Sequence, residues 1–288
     1  ADINPKHLGM DTEQIISALN KKTRAVLLTH VQGFNALTDK LLDELQRLDI
    51  PLIEDVCESH GAKHLGKKLG NFGWASNFSF YYAHHMSTIE GGVICTNDPD
   101  LYQTFRMLRS HGMVRESTSD ELKDSYKRQY SDLNPDFIFA FPAYNVRNNE
   151  IGAIMGRNQL KRLDENIQLR NRNFKLFLDH LDVSKYRTDF SLEGSSNYAL
   201  NLILQHADIP FTERLMKRMS DEKIEFRRGS AGGGNQLRQP YLRKIMGDTN
   251  QNFPEVDHIH FHGFYIGNFP SLEEGKIIKL CNILNSVE

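Results

Sequence analysis

A chain of 288 residues with 39% hydrophobic content can bury a sizeable core, in one large or two smaller domains. Its 37 acidic and 35 basic side chains leave a formal charge of −2, which excludes the basic footprint of a nucleic-acid binder. No apolar run approaches the roughly 20 residues that span a bilayer, residues 1–10 lack the apolar centre of a secretory signal, and Cys57, Cys95 and Cys281 form neither a disulfide framework nor a close metal spacing, so a cytoplasmic location is expected.

Asp11-Thr12-Glu13-Gln14 offers a variant capping box ahead of Ile15, Ile16 and Leu19. Ala25 to Val31 then reads as a strand. Leu37, Leu41, Leu42, Leu45 and Leu48 recur at helical spacing before a short apolar strand that ends at Asp55. This alternation predicts an α/β layer with parallel pairing of those strands. Ser76 to Tyr82 and Val93 to Thr96 are two further strands, so the histidines of Tyr82-Ala83-His84-His85-Met86-Ser87-Thr88-Ile89-Glu90-Gly91-Gly92 sit on the loop that connects them.

Pro99 to Ser110 reads as a helix. The charged stretch from Arg115 to Asp136 has little periodicity and predicts an exposed, mobile loop. From Asn148, apolar positions at Ile151, Ile154, Leu160, Leu163 and Ile167 predict one long helical stretch ending near Leu181, with a domain boundary at 165/166 inside it. The remainder mixes strands at 198–204, 224–227 and within 258–266 with helices at 211–219 and the C-terminus, a small α+β domain over 166–288. No internal repeat is evident.

Four segments carry a resemblance: Pro51-Leu52-Ile53-Glu54-Asp55-Val56-Cys57-Glu58-Ser59-His60-Gly61-Ala62; the Tyr82 to Gly92 loop; Arg106-Met107-Leu108-Arg109-Ser110-His111-Gly112; and Ala143-Tyr144-Asn145-Val146-Arg147-Asn148-Asn149-Glu150. In this order the chain resembles the DegT/DnrJ/StrS-type sugar aminotransferase family over nearly its whole length. The resemblance implies an α/β transferase of fold type I, aspartate-aminotransferase-like, that uses pyridoxal or pyridoxamine 5′-phosphate. Residues 1–165 would be the remainder of the large cofactor-binding domain. Members usually begin further upstream, with a glycine/serine turn for the cofactor phosphate and a ring-stacking aromatic, so that N-terminal part is expected to be missing.

The family's cofactor positions map onto Asp55, facing the pyridine nitrogen, Glu58, near the phenolic oxygen, and Ser79, near the phosphate. Asn145 matches an asparagine that reaches the phosphate of a neighbouring subunit, which implies a homodimer with shared active sites. Ala143 stands where glycine is usual, and a positive φ there would be disturbed.

His84, six residues before Glu90, stands where the family carries the lysine that binds the cofactor covalently. Histidine cannot make that linkage, but an imidazole can act as acid or base near neutrality. The resemblance therefore points to the histidine-containing 3-dehydratase subgroup. These enzymes remove the third-carbon hydroxyl of a nucleotide-linked 4-keto-6-deoxyhexose in deoxysugar and O-antigen biosynthesis. His85, one residue out of register, is the competing candidate and a weaker substrate contact. With three scattered cysteines no iron-sulfur cluster is expected, which favours the subgroup that acts on a GDP-linked sugar with glutamate as amine donor. A nucleotide-sugar aminotransferase and a noncatalytic truncated relative are the alternatives.

Arg227, Arg228 and Asn235, around the glycine-rich 229–234 turn, are candidate contacts for substrate phosphates, or plain surface residues. His258, His260 and His262 alternate, so in a strand they would share one face as metal ligands do. Glu255 and Asp257 would point the other way, and no metal is expected.

Overall fold

The computed structural model describes residues 1–247 and 252–288. Asp11 N-caps the first helix, α1 (Thr12–Ala18), by accepting the Gln14 amide at 3.1 Å. Half of the expected capping box forms, because Gln14 Oε1 turns to accept the Asp2 amide at 2.7 Å instead of reaching back to the cap. β1 (Val26–Thr29) follows. Thr38 then caps α2 (Asp39–Arg47), whose Leu41 and Leu45 are buried against Val26, Leu28 and Leu52. β2 (Leu52–Asp55) lies parallel to β1, as alternation predicts.

A small hairpin, β3 (Lys63–His64) with β4 (Lys67–Lys68), separates β2 from β5 (Ala75–Ser79) and is too short for a period to reveal. β5 is parallel to β2, while β6 (Gly92–Thr96) returns antiparallel to β5, giving the order β1-β2-β5-β6. The reversal follows from the connection: residues 80–91 turn back as a loop with no crossover helix. α3 (Pro99–Leu108) is capped by Asp98.

The 115–136 stretch is not the loop that its composition suggests. It holds α4 (Asp120–Gln129) between two 3-10 turns, Val114–Glu116 and Pro135–Phe137. Ser119 caps α4, Asp120 and Glu121 open it, and Lys127 and Arg128 close it, each complementing the helix dipole. No residue of α4 is fully buried; Leu122 and Tyr126, one turn apart, pack half-buried against Met107, Val114 and Ile138, too short a stripe to stand out as a period. The long helix predicted from 148 divides at Lys161-Arg162 into α5 (Glu150–Leu160) and α6 (Leu163–His180).

In the C-terminal part, β7 (Ala199–Ile203), β8 (Phe226–Arg228) and β9 (Gly263–Gly267) form an antiparallel sheet in the order β7-β9-β8. It is accompanied by α7 (Ile209–Asp221), α8 (Pro240–Met246), α9 (Pro254–His262) and α10 (Glu274–Asn285). The strand expected within 258–266 begins only at Gly263, and the alternating histidines before it lie in α9. Pro254 at the first turn with Glu255 and Asp257 behind it is a helix start, and it outweighs the alternating histidines.

Phe174 and Phe177 of α6, Leu200 and Leu202 of β7, and Ile277 and Leu284 of α10 share one core with Val31 and Phe34 from the loop after β1. That loop seats the segment before β7: Gly33 O accepts Ser196 N at 2.8 Å and Gln32 O accepts Tyr198 N at 3.0 Å. Gly33 has φ +94°, and a Cβ there would lie 2.4 Å from Asn197 N, so only glycine permits this approach. The result carries Tyr198 to the loop that bears His84.

Candidate active site

The register of β2 on β5 sets Asp55, the last residue of β2, opposite Asn77 in the middle of β5. Asp55 Oδ1 accepts from Cys57 N at 3.1 Å and from Asn77 Nδ2 at 2.9 Å. Oδ2 accepts from no donor among the described residues, so half of a firmly held carboxylate stays available. Three residues on, Glu58 Oε2 accepts the Gln32 amide at 3.0 Å. Burial pushes the Glu58 carboxyl up to about 7, against the pull of that N–H and with a further push from Asp55.

Ser79 ends β5, and its Oγ accepts Tyr81 N at 3.3 Å. The following loop is tied by Phe80 N to Gly91 O and Thr88 N to Phe80 O, both at 2.9 Å. The ring of His84 stands edge-on to Tyr81 and Tyr198, each with centroids 5.5 Å away. His84 Nδ1 lies 3.4 Å from Ser79 O. A carbonyl only accepts, so Nδ1 carries the proton and Nε2 the lone pair. Burial lowers the His84 pKa below its ordinary 6.5, while the Ser79 carbonyl and the Asp55 charge hold it up. A half-buried imidazole that is neutral at pH 7, with a defined basic nitrogen, is suited to proton transfer.

His85 has the opposite arrangement. It is 5% exposed, its Nε2 donates to Ser196 O at 3.0 Å, and its Nδ1 is buried without a partner. Burial, with Arg170 close by, lowers its pKa well below 6.5. His60 sits behind both rings, buried against Phe78 and Phe80, and neither of its nitrogens has a hydrogen-bond partner among the described residues.

A cavity of about 720 Å³ opens in front of His84, with Glu58, Arg170, Tyr198, Arg227 and Tyr265 on its wall. Of the predicted residues it brings together His84, Glu58 and Arg227. Three expected substrate contacts lie off this cavity wall. His85 points into the protein and anchors the loop. Arg228 follows Arg227 on β8, so the pleat sends it to the other face, off the cavity wall. Asn235 is 8% exposed and spends its side chain on Asp257, at 2.7 Å, and on Leu237 N.

Asn145 is not on this cavity. It lies in an exposed turn bridged to Ser110, its Oδ1 accepting Arg147 Nε at 3.2 Å. Ala143 is not among the residues with positive φ, so the turn forms without the glycine that is usual there. His258 and His262 face each other one helical turn apart, centroids 5.3 Å, and are engaged by Leu204 O and Thr212 Oγ1. No group of acidic, cysteine or histidine side chains suited to a metal occurs among the described residues.

Sequence reasoning missed Arg170, Tyr198 and Tyr265. Arg170 stands in a run of polar residues where nothing distinguishes it from exposed Arg172. The two tyrosines read only as strand-forming aromatics.

The DegT/DnrJ/EryC1/StrS aminotransferase family model matches residues 1–285. The chain is 30% identical over 285 residues to the GDP-4-keto-6-deoxy-D-mannose 3-dehydratase of Yersinia pseudotuberculosis, covering 98% of this chain and 72% of that protein. Among solved structures it is similar to the Escherichia coli GDP-4-keto-6-deoxy-D-mannose-3-dehydratase with bound hydrated PLP, with a TM-score of 0.85, 29% identity, and coverage of 99% of this chain and 73% of that one. A GDP-4-keto-6-deoxymannose-3-dehydratase with a trapped PLP-glutamate geminal diamine matches with the same TM-score and coverage at 28% identity. The α/β fold is that of these PLP-dependent, aminotransferase-like structures. No described helix is long and apolar enough to cross a membrane.

Proposed function

Because the chain belongs to the DegT/DnrJ/EryC1/StrS aminotransferase family, we propose that it is a nucleotide-sugar 3-dehydratase that deoxygenates a GDP-linked 4-keto-6-deoxyhexose with pyridoxamine phosphate. The observation that carries this reading is His84. It occupies the loop after β5 on the cavity wall, at the position where the family resemblance expects the lysine of a covalent cofactor link, and its Nε2 makes no hydrogen bond among the described residues.

The residues fit the cofactor. Asp55, whose Oδ2 has no donor among the described residues, would keep a ring nitrogen protonated, Glu58 would supply a carboxyl for the phenolic oxygen, and Ser79 would supply a hydroxyl for the phosphate. When bound, pyridoxamine phosphate supplies an amine for the keto carbon and a conjugated ring that accepts electrons. His84 Nε2 would accept a proton at the bound cofactor and, as the imidazolium, return it to a departing hydroxyl of the sugar. A cofactor that supplies both the amine and the two electrons for that loss would be left without its amine after each turnover. An amino donor, glutamate, must therefore restore it in each turnover. Arg227, exposed on the cavity rim, suits the sugar-linked phosphates.

The same proposal includes a homodimer with shared sites. Tyr144, Val146, Ile151 and Ile154 around Asn145 are each more than 60% exposed, an apolar face that favours a subunit contact. It includes a division at 165/166, supported by the packing of α6 on α10 and β7, and action in the cytoplasm, consistent with three free thiols.

The test is to incubate the protein with pyridoxamine phosphate, glutamate and GDP-4-keto-6-deoxymannose and identify the product by mass spectrometry. Loss of the third-carbon oxygen is expected. An amino sugar would identify an aminotransferase, and no turnover would identify a noncatalytic relative; either result overturns the proposal.

A further inference from the structure

We propose that Asn77 is a positioning residue for Asp55, fixing the plane of its carboxylate so that one oxygen stays open for the ring nitrogen of the cofactor. This rests on the cofactor reading above, which gives Asp55 that nitrogen.

Asparagine is depleted in strands, and β5 is not an edge, since it pairs with β2 on one side and β6 on the other. Asn77 nonetheless occupies its middle position, half-buried, in register with Asp55 on β2 and, beyond it, Thr29 on β1. These three side chains share one face of the sheet. The preceding residue of β2, Glu54, points to the other face and is fully buried there. It spends both oxygens on the amides of Gly70, Phe72 and Gly73, at 2.7, 2.8 and 2.7 Å, and so clamps a turn. Asp55, by contrast, keeps Oδ2 without a donor among the described residues. A mid-strand residue that goes against local preference, beside a carboxylate used on one oxygen only, has its reason in the site and not in the strand.

The amide of Asn77 shows how it acts. Nδ2 carries two hydrogens and has two acceptors, Asp55 Oδ1 at 2.9 Å and Cys57 Sγ at 3.0 Å. Turning the amide over would set its oxygen against a carboxylate, so this orientation is held. Burial, with Asp55 adding to it, pushes the Cys57 thiol up to about 12, so the sulfur stays neutral and is the weaker acceptor. The charge-assisted bond to Oδ1 is the stronger of the two. Oδ1 also accepts Cys57 N at 3.1 Å, a bond made within the turn that leaves β2. That bond alone would let the carboxylate rock about its last side-chain bond. A second donor, coming from the neighbouring strand, pins the plane and with it the direction of Oδ2, the kind of support that keeps a binding group within about 10–20° of its working orientation.

The test loads the protein with pyridoxamine phosphate isotopically labelled at its ring nitrogen and follows that nitrogen by NMR as the pH is raised. Asn77→Leu, similar in shape but without donors, should lower the pH at which the ring nitrogen loses its proton by about one unit, a tenfold change on the scale of one hydrogen bond. Cofactor affinity, read by absorbance titration, should fall roughly 2- to 10-fold. Asn77→Gln, which keeps the amide on a longer stem, should lie between Leu and wild type. A merely structural Asn77 would change the denaturation midpoint and leave the ring nitrogen as it is, so an unshifted ring titration in folded Asn77→Leu protein overturns the proposal. If that variant does not fold, the Nδ2 proton resonances of Asn77 in the wild type should shift on adding the cofactor, and unmoved resonances overturn it. Asp55→Asn is the reference. A ring nitrogen indifferent to both changes overturns the cofactor mapping together with the proposal, whereas one that responds to Asp55→Asn alone overturns only the role of Asn77. Should the loaded protein dehydrate no nucleotide sugar while its ring nitrogen still depends on Asn77, the dehydratase reading falls and the positioning role stands.

Discussion

Replacing His84 by asparagine removes the basic imidazole from the cavity wall and leaves the surrounding frame in place. The loop is held by backbone bonds, Phe80 N to Gly91 O and Thr88 N to Phe80 O, that do not involve the side chain. The ring itself contributes only half-buried edge contacts with Tyr81 and Tyr198, so the stability cost should be about 1 kcal/mol. A positioned acid-base group is worth roughly 10²- to 10⁴-fold in rate, or about 3–5 kcal/mol of barrier. We expect that loss in kcat with KM for the nucleotide sugar changed only a few-fold, since the lost atom acts on the proton and not on the sugar. Single-turnover reactions at defined pH, with the product quantified by mass spectrometry, measure it. Burial lowers the His84 pKa below 6.5, so the wild-type rate should lose one proton's worth of activity only as pH falls below 6.5. A change near 7 would belong to Glu58. The acidic limb should vanish in the asparagine variant. A folded His84→Asn protein within tenfold of the wild-type rate, or one that keeps the acidic limb, would refute the assignment of His84 as the base.

Other expectations follow from the same geometry. His84→Lys should trap the cofactor covalently, detectable by borohydride reduction and intact-mass measurement, and abolish dehydration; a protein that stays unlinked and active contradicts the mapping. Asp55→Asn removes the charge of the free Oδ2 and should weaken cofactor binding about tenfold by absorbance titration, whereas unchanged affinity would place the ring nitrogen elsewhere. Gly33→Ala would set a Cβ 2.4 Å from Asn197 N at φ +94° and should cost at least about 2 kcal/mol in a denaturant titration; an unmoved midpoint would show that the Ser196–Tyr198 segment can yield. Finally, His7 and His60 are buried groups whose pKa falls from 6.5 to about 4. The unfolded chain takes up protons at 6.5 that the folded protein refuses until 4, so stability should drop as pH falls through that window, by about 3 kcal/mol for each group. His60→Phe should flatten part of this slope, and an equal slope in the variant would exclude His60 as its source.

The residues of the proposed chemistry can be picked out in one dimension because they lie close together in the chain. Asp55, Glu58, Ser79 and His84 fall within 30 residues on two adjacent parallel strands and the turns that leave them. The strands themselves declared their apolar residues between charged or glycine-bearing turns. Where sequence reading failed, the missing information was tertiary or hidden by a competing pattern. α4 packs only Leu122 and Tyr126 on its neighbours, so its cap and end charges mark it as a helix more than any apolar stripe does. α9 shows alternating histidines, but the proline and acidic residues at its start decide its conformation.

The adjacent histidines mark the limit most clearly. His84 and His85 are chemically identical in sequence, and only the fold gives one a proton on Nδ1 with a free nitrogen toward the cavity, and the other a bond from Nε2 to Ser196 O deep inside. The opposite wall depends on contacts across more than a hundred positions: the 195–198 segment reaches the site because Gly33 admits it, and Arg170 is buried there because α6 packs against β7. The sequence by itself determined the α/β class and the family and named the candidate acid-base residue, since these rest on short-range pattern and residue type. The tertiary structure alone decided which histidine lies on the cavity wall, which arginine is desolvated and which of the expected contacts lie off that wall, because burial and charge pairing are set by residues far apart in the chain.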